Sequence, residues 1–154
     1  MHIRPFREGD LHAIVDLFTQ AVHAINKQDY TPEQLAVWAS AHPDLDKWRK
    51  RLTDNMVYVA EEKGTIVGFM SMKSDGFLDQ LYVSKDHRGG HVSRALFKQC
   101  LILAKEHGWQ IITTHCSITA RKPAERMGFK VVQEQTVVRD GVALINYVME
   151  KKVH

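Results

Sequence analysis

The chain has 154 residues, of which 44% are hydrophobic and 25% charged, as is typical of a globular domain. This composition excludes long disorder, collagen and fibrous repeats, and no apolar run is long enough to span a membrane. The formal charge of +3 is mild, and the basic residues are spread along the chain. Dedicated nucleic-acid-binding proteins usually concentrate them on one face. The length predicts one domain over residues 1–154.

The N-terminal residues, the cysteines and the histidines indicate which cellular compartment and which metal chemistry to expect. The first eight residues contain no apolar stretch of a signal peptide. Cys100 and Cys116 are too few for a disulfide framework, so we expect reduced thiols in the cytoplasm. The nine histidines are scattered without metal-ligand spacing, and we therefore expect no metal site.

The first third of the chain predicts one strand and three helices. Asp10 is the expected N-cap of the first helix, whose apolar residues recur at three- and four-residue steps. Thr31, Pro32 and Gln34 form a capping-box start for the second helix. The predicted elements are a strand at Ile3–Phe6 and helices over 11–25, from Thr31 onward, and from about Leu45 to Leu52.

The pattern then changes to alternating strands. Turns at Lys63-Gly64 and at 74–76 separate three strands that predict an antiparallel meander. A long helix follows and ends at Gly108. The later elements are strands at Met56–Ala60, Thr65–Met72, Phe77–Val83 and Trp109–His115, helices at Val92–His107 and Ala120–Met127, and a closing hairpin of Phe129–Val138 with Val142–Met149. This order predicts an α/β fold, a mixed central sheet flanked by helices.

The loop between the third meander strand and the long helix carries the clearest chemistry. It contains glycine and arginine and opens directly into a helix, where unpaired backbone N–H groups and the helix dipole favour negative charge. Arg88 and Arg94 add positive charge to this point. The segment predicts a phosphate-binding site, and the alternative is a surface turn with solvated basic residues.

This strand–loop–helix segment resembles the acetyl-CoA-binding motif of the GCN5-related N-acetyltransferase (GNAT) superfamily. The family motif reads Gln/Arg-x-x-Gly-x-Gly/Ala after a strand that ends in Leu-Tyr-Val, and Arg88 matches its first position. The resemblance covers nearly the whole chain, which is most similar in pattern to one bacterial branch of small acetyltransferases. Further matching segments are 29–35 with Trp38 and Trp48, 67–69, 117–121, 125–129 and 146–151.

The resemblance implies an N-acetyltransferase that uses acetyl-CoA as its donor cosubstrate. In the family the fourth and fifth strands splay apart, the pantetheine arm threads the gap, and an amine attacks the thioester directly. A backbone N–H of the fourth strand stabilises the oxyanion. The implied cofactor-binding residues here are Leu81, Tyr82, Val83, Arg88, Gly89, Gly90, His91, Val92, Ser93, Arg94 and Ser117.

Two departures from the family pattern raise an alternative. His91 and Ser93 stand where the motif has glycine or small residues, so the imidazole could obstruct the phosphates or hold them as a cation. Pro123 and Ala124 stand where relatives often carry an aromatic pair before Glu, sometimes with a tyrosine that protonates the leaving thiolate. The alternative is a non-catalytic or weakly active acyl-CoA-binding relative with a regulatory role.

Candidates for the acceptor side come from the residues themselves. Asp79 lies on the splayed strand and could accept a proton from an ammonium substrate; its other interpretation is a structural strand residue. Tyr30 and Trp38 are predicted to contact the substrate or to pack in the core. The acceptor is a small-molecule or peptide amine whose class stays open.

Two further hypotheses concern partners. The hairpin over 129–149 could supply a pairing edge for a homodimer. Basic clusters at Lys47–Arg51 and Lys85–Arg94 raise a nucleic-acid-associated role, against which stands the lack of an aromatic platform or a recognised DNA-binding motif.

Overall fold

A computed structural model describes residues 1–153, so residue 154, the last of the predicted domain, lies outside it. Seven strands form one mixed sheet in the order β1-β2-β3-β4-β5-β7-β6. The strands are β1 His2–Pro5, β2 Met56–Glu62, β3 Thr65–Met72, β4 Phe77–Val83, β5 Ile111–Ser117, β6 Lys130–Arg139 and β7 Val142–Lys152. The helices are α1 Leu11–Ile25, α2 Pro32–Trp38, α3 Leu45–Asp54, α4 His91–His107 and α5 Arg121–Arg126.

Alternation along the strands divides the core between the two faces of the sheet. Val59 and Phe69 pack with the apolar residues of α1, α2 and α3. Ala60, Met70 and Met72 face the other way and pack against α4. The sheet is therefore covered on both sides over β2–β4, as the predicted flanking helices require.

The predicted antiparallel meander is present, since β2 pairs with β3 and β3 with β4 in antiparallel register. The β4–β5 pair is parallel and consists of two residue pairs, Phe77–Thr113 and Leu78–Thr114. By contrast, β5 pairs with β7 along its whole length, from Ile111 to Ser117. The sheet is thus held together well on each side of a weak junction between β4 and β5.

The second helix begins as predicted, and the first does not. Thr31 Oγ1 accepts from the Gln34 N–H at 3.2 Å, and Gln34 Oε1 accepts from the Thr31 N–H at 2.9 Å. The prediction that Asp10 caps α1 is wrong, because its side chain makes no cap bond to that helix. Its carboxylate instead accepts two hydrogen bonds from the Arg4 guanidinium at 2.8 and 2.9 Å and one from the Arg7 N–H.

The fifth strand begins two residues later than predicted. Trp109 N–H still donates to the Ala104 carbonyl as part of the end of α4, and Gly108 takes the left-handed conformation, with φ of 71°, that ends the helix. The strand then continues to Ser117, two residues past the predicted end.

The buried Arg4–Asp10 pair gives a prediction about stability. Hydrogen bonds from Arg4 lower the pKa of Asp10, so the pair stabilises the fold above the ordinary carboxyl pKa and this contribution is lost as the pH falls through the lowered pKa. Asp10→Asn should therefore reduce the free energy of unfolding at pH 7 by about 3 kcal/mol. Urea melts from pH 7 downward should show the difference shrinking with acidification.

Asp46→Asn is the matched control, because its side chain is 94% exposed in an ion pair with Arg49 and should change stability little. A wild type and an Asp10→Asn variant of equal stability at pH 7 would contradict a stabilising role for the pair.

Candidate active site

The junction between β4 and β5 opens into a cleft directly after Leu78. Opposite β4, Met72 pairs with Leu78 and Ser71 with Gln80, which leaves Asp79 as the extra residue of a β-bulge. A bulge bends its strand and increases the local twist, and so turns β4 away from β5. Thr114 Oγ1 marks the last contact, a 2.8 Å hydrogen bond to the Leu78 carbonyl. We call the opening beyond it the β4–β5 split.

The register determines which backbone groups face the split. The Ser84 N–H donates to the Val67 carbonyl opposite it at 2.8 Å, so these two residues form a hydrogen-bonded pair. Because such pairs alternate along antiparallel strands, Tyr82 and Gln80 also bond toward β3. The backbone N–H and C=O groups of Leu81 and Val83 therefore point into the split, as a ligand that pairs with β4 requires.

The second part of the site is the start of α4. Gly90 is the N-cap, in the left-handed conformation with φ of 90°, and its carbonyl accepts the first helical bond from the Arg94 N–H at 3.1 Å. The N–H groups of His91, Val92 and Ser93 consequently have no partner within the helix. Arg88 and Gly89 are exposed in the preceding loop. Within residues 1–153, Arg88 and Arg94 form no ion pair.

The His91 imidazole is engaged by a carboxylate. Its Nε2 lies 3.1 Å from Glu62 Oε1, and His87 Nε2 lies 3.7 Å from the other oxygen of the same carboxylate. The hydrogen bond from His91 is the main cause that lowers the pKa of Glu62. An imidazolium at position 91 would thus have a local counter-charge, and both roles of its side chain, obstruction of the phosphates and phosphate binding, stay predictions.

Asp79 lies on the α1–α3 face of the bulge, with its side chain 9% exposed. Arg51 donates to its two carboxylate oxygens at 2.8 and 3.1 Å, and Asn55 Nδ2 donates at 3.2 Å. A carboxylate offers about four acceptor positions, of which these bonds occupy three. One position on Oδ1 is open, so a role as proton acceptor stays a prediction that depends on that position.

Tyr30 joins three parts of the fold. Its hydroxyl donates to the Ile145 carbonyl at 2.6 Å and accepts from the Ile118 N–H at 2.9 Å, and burial raises its pKa. Trp38 packs edge-on against its ring, with centroids 5.2 Å apart, and is half-buried. Any substrate contact by Tyr30 therefore involves its ring, and substrate contact by either residue stays a prediction.

Sequence reasoning assigned Tyr82 to cofactor binding and missed Gln80 and His115 near the bulge. The Tyr82 side chain points to the α1 face, where it packs against Phe18, and burial raises its pKa to about 12 despite Arg51 and Trp38 nearby. Gln80 is 4% exposed, and its amide has no hydrogen-bond partner within the described chain. His115 follows Thr114, the last residue of β5 that pairs with β4. Strand alternation was the available signal, but it fails at a bulge.

Ser117 lies at the end of β5, where its hydroxyl accepts from the Ala120 N–H at 3.0 Å. A cavity of about 390 Å³ adjoins this loop and is lined in part by Asp29, Ile118, Arg121 and Tyr147. The predicted cofactor-binding residue 117 is thus beside an open space at the end of the split-forming strand.

Comparison with known proteins identifies this arrangement. The acetyltransferase (GNAT) domain family matches residues 26–151. The chain belongs to this family. It is 31% identical to the uncharacterised N-acetyltransferase YafP of Escherichia coli, over 99% of this chain and 96% of that protein.

Solved structures agree with the family. A GCN5-related N-acetyltransferase of Rhodopseudomonas palustris is 31% identical and superposes with a TM-score of 0.94, over 98% of this chain and 94% of that one. The PaiA N-acetyltransferase of Thermoplasma acidophilum, solved with coenzyme A, shares the fold at a TM-score of 0.81 with 18% identity, over 98% of both chains. The predicted family, the mixed α/β fold and an acetyl-CoA-dependent N-acetyltransferase are therefore confirmed.

This GNAT chain offers no thiol nucleophile. Burial raises the pKa of Cys100 to about 12 and that of Cys116 to about 11, and both thiols are buried. Thiolates are the reactive form, so direct attack by the amine on the thioester is favoured over a cysteine intermediate. Ala124 is 5% exposed inside α5 and, as its methyl side chain dictates, supplies no proton donor.

Two remaining observations concern metal binding and membrane-spanning helices. Among residues 1–153, no cluster of three or more histidine, cysteine, aspartate or glutamate side chains is arranged to hold a metal ion. None of the described helices has the length and apolar character needed to cross a bilayer.

The conformation of Gly90 gives a prediction that separates the two loop glycines. A Cβ at position 90 would meet the Arg94 guanidinium at 2.9 Å and would force a side chain into a left-handed φ, whereas a Cβ at Gly89 would meet only His91 Nδ1 at 3.8 Å. Gly90→Ala should cost about 1 kcal/mol of stability and weaken CoA binding several-fold. Gly89→Ala is the matched control, and thermal melts with CoA titrations should find it close to wild type. Equal effects of the two substitutions would contradict this geometry.

Proposed function

We propose that the β4–β5 split holds the pantetheine arm of acetyl-CoA. The observation that carries this is the two-pair junction of β4 and β5, which leaves the backbone of Leu81 and Val83 directed into the opening. The amides of the pantetheine arm add to β4 as an extra strand would. The thioester then lies beside the bulge, where a backbone N–H of β4 stabilises the oxyanion.

The pyrophosphate binds at the start of α4. The unpaired N–H groups of His91, Val92 and Ser93, the helix dipole and the side chains of Arg88 and Arg94 act on one anionic group. Of the three basic side chains here, His91 is paired with Glu62, whereas Arg88 and Arg94 form no ion pair within the described chain. Ser117, on the other side of the split, is proposed to contact the pantetheine arm.

The acceptor amine approaches on the α1–α3 face of β4. Asp79 Oδ1 has its open position here and attracts the ammonium form of the substrate, while Trp38 and the ring of Tyr30 form a wall of the cleft. After losing a proton the amine attacks the thioester carbonyl directly. Much of the rate enhancement then comes from holding the two reactants in line.

A screen of primary amines with acetyl-CoA, read out by CoA release, tests this function. Arg88→Glu should raise the Kd for CoA by about 10- to 100-fold, the scale of a lost charge-assisted hydrogen bond, and should lower turnover at limiting acetyl-CoA. Lys105→Glu makes the same reversal at the far end of α4, where the residue is exposed, and should leave the Kd unchanged.

Two results would count against the proposal. An unchanged Kd for Arg88→Glu would place the phosphates elsewhere. Tight CoA binding by the wild type without turnover on any amine would favour the alternative, a regulatory acyl-CoA-binding relative, which Ala124 on α5 supports because it leaves the thiolate without a protonating side chain.

We also propose that residues 1–154 act as one domain that forms a homodimer through the free edge of β6. This edge strand is ten residues long and carries Val132 and Val138, which are 54% and 66% exposed. Antiparallel pairing about a two-fold axis at Gln135 would place Val138 opposite Val132 of the second copy. A long exposed apolar edge favours such pairing.

Light scattering should accordingly give the mass of a dimer for the wild type and of a monomer for Val138→Lys. The substitution would place a lysine charge at two positions of the new ladder, one from each copy. Ile102→Lys is the control, because Ile102 is an exposed residue of α4 away from this edge. A monomeric wild type at micromolar concentration would refute the dimer.

A further inference from the structure

His115 lies at the apex of the β4–β5 split, across from Asp79. The last paired residues are Leu78 and Thr114, so the next residues along the two parallel strands are Asp79 and His115. Neighbouring strands are about 5 Å apart where they pair. The two side chains therefore stand on adjacent strands at the point where the split begins.

Both side chains also belong to the same face of the sheet. The His115 ring packs edge-on against Phe77, with centroids 5.0 Å apart, and Phe77 precedes Leu78, which faces α4. Phe77 and His115 are consequently on the face opposite α4, where Arg51 and Asn55 bind Asp79. His115 is exposed, so its ring is accessible to solvent on this face.

We propose that His115 accepts the proton of the acceptor ammonium, with Asp79 as the counter-charge that holds that ammonium in place. This rests on the proposed function. Asp79 has one open acceptor position and is fixed by Arg51, which suits electrostatic binding. Imidazole is the side chain that exchanges protons most readily near neutral pH, and a general base must reach the proton that it removes.

The ring is oriented by β6. Gln135 Nε2 lies 3.3 Å from His115 Nδ1, and an amide can present either its nitrogen or its oxygen to an imidazole. In this orientation the Gln135 Nε2 amide donates to Nδ1; with the amide turned so that Oε1 faces the ring, the Nδ1–H donates a hydrogen bond to Oε1 and the Nε2 lone pair is available. The charged residues on the neighbouring strand positions are Asp79 on β4, Lys73 beside Phe77, and Glu150 of β7, which pairs with Thr113 of β5.

The reaction balances with the groups named. The ammonium gives one proton to His115 Nε2, and the resulting amine forms the C–N bond to the thioester carbonyl carbon. The C–S bond breaks, and the second proton on nitrogen passes through solvent to the thiolate. The products are the acetamide, coenzyme A as the thiol, and an imidazolium that returns its proton to water.

Paired pH–rate profiles on an accepted amine test the assignment. His115→Gln should lower kcat/KM by about 100-fold at pH 7, the usual scale of general base catalysis. The deficit should shrink as the pH rises toward the pKa of the amine, because more of the amine is then already unprotonated and needs no proton acceptor. Asp79→Asn should instead raise KM for the amine and retain the acid limb of the kcat profile. His2→Gln, an exposed residue of β1 at the far edge of the sheet, should match the wild type.

The Kd for CoA should be unchanged in His115→Gln, which shows that the fold and the donor site are intact. A wild-type profile in His115→Gln, or loss of the acid limb in Asp79→Asn alone, would overturn the role of His115 and leave the acetyltransferase function standing. Failure of the proposed function is a different result, namely a wild type that binds CoA and turns over no amine.

Discussion

The two-pair junction between β4 and β5 is the constraint on which the active site depends. Each strand has an antiparallel partner on its other side, β4 with β3 and β5 with β7, so neither depends on the other for its main strand pairing. The bulge at Asp79 prevents the ladder from continuing, because the extra residue removes β4 from the register of β5. Backbone groups left without partners are costly only in a dry interior, and the split gives those of Leu81 and Val83 access to water or to a strand-like ligand.

The same junction explains why the site brings together residues from distant elements. The bulge directs Asp79 and Gln80 toward the α1–α3 face, where Ser71 stands opposite Gln80 and Asn55 bonds both Ser71 and Asp79. Tyr30 ties the start of α2 to β7 and to the loop after β5, and so holds the helical layer against the far side of the split. The cleft is therefore bounded by two hydrogen-bonded halves of one sheet, which suits catalysis by positioning.

Local patterns predicted most of the fold, and long-range contacts account for the errors. The capping box at Thr31 and the stop at Gly108 depend on neighbouring residues and could be read from the sequence. Asp10 fits the N-cap pattern equally well, yet the buried guanidinium of Arg4 takes its carboxylate. In the site, the glycine–arginine loop was visible as a motif. The partners of Asp79 and His91 are 28 and 29 residues away, and the bulge has no local signature, so His115 could not be linked to Asp79.

The absence of a tyrosine at position 124 is not strong evidence against catalysis, because the thiolate can leave without being protonated by a side chain. When the tetrahedral intermediate collapses, either the amine or the thiolate must leave. Thiols ionise near pH 8.5, whereas alkylamines do so near 10, so the thiolate is the better leaving group even without a proton donor. Tyr82 cannot substitute, because burial raises its pKa to about 12 and its ring packs among Phe18 and Phe69. Once the nitrogen has given its second proton to solvent it could leave only as an amide anion, a far poorer leaving group than a thiolate, so the C–S bond is the one that breaks. The proton that a side chain must remove is the one the ammonium carries before attack, which is the role proposed for His115 at the apex of the split and requires no side chain of α5.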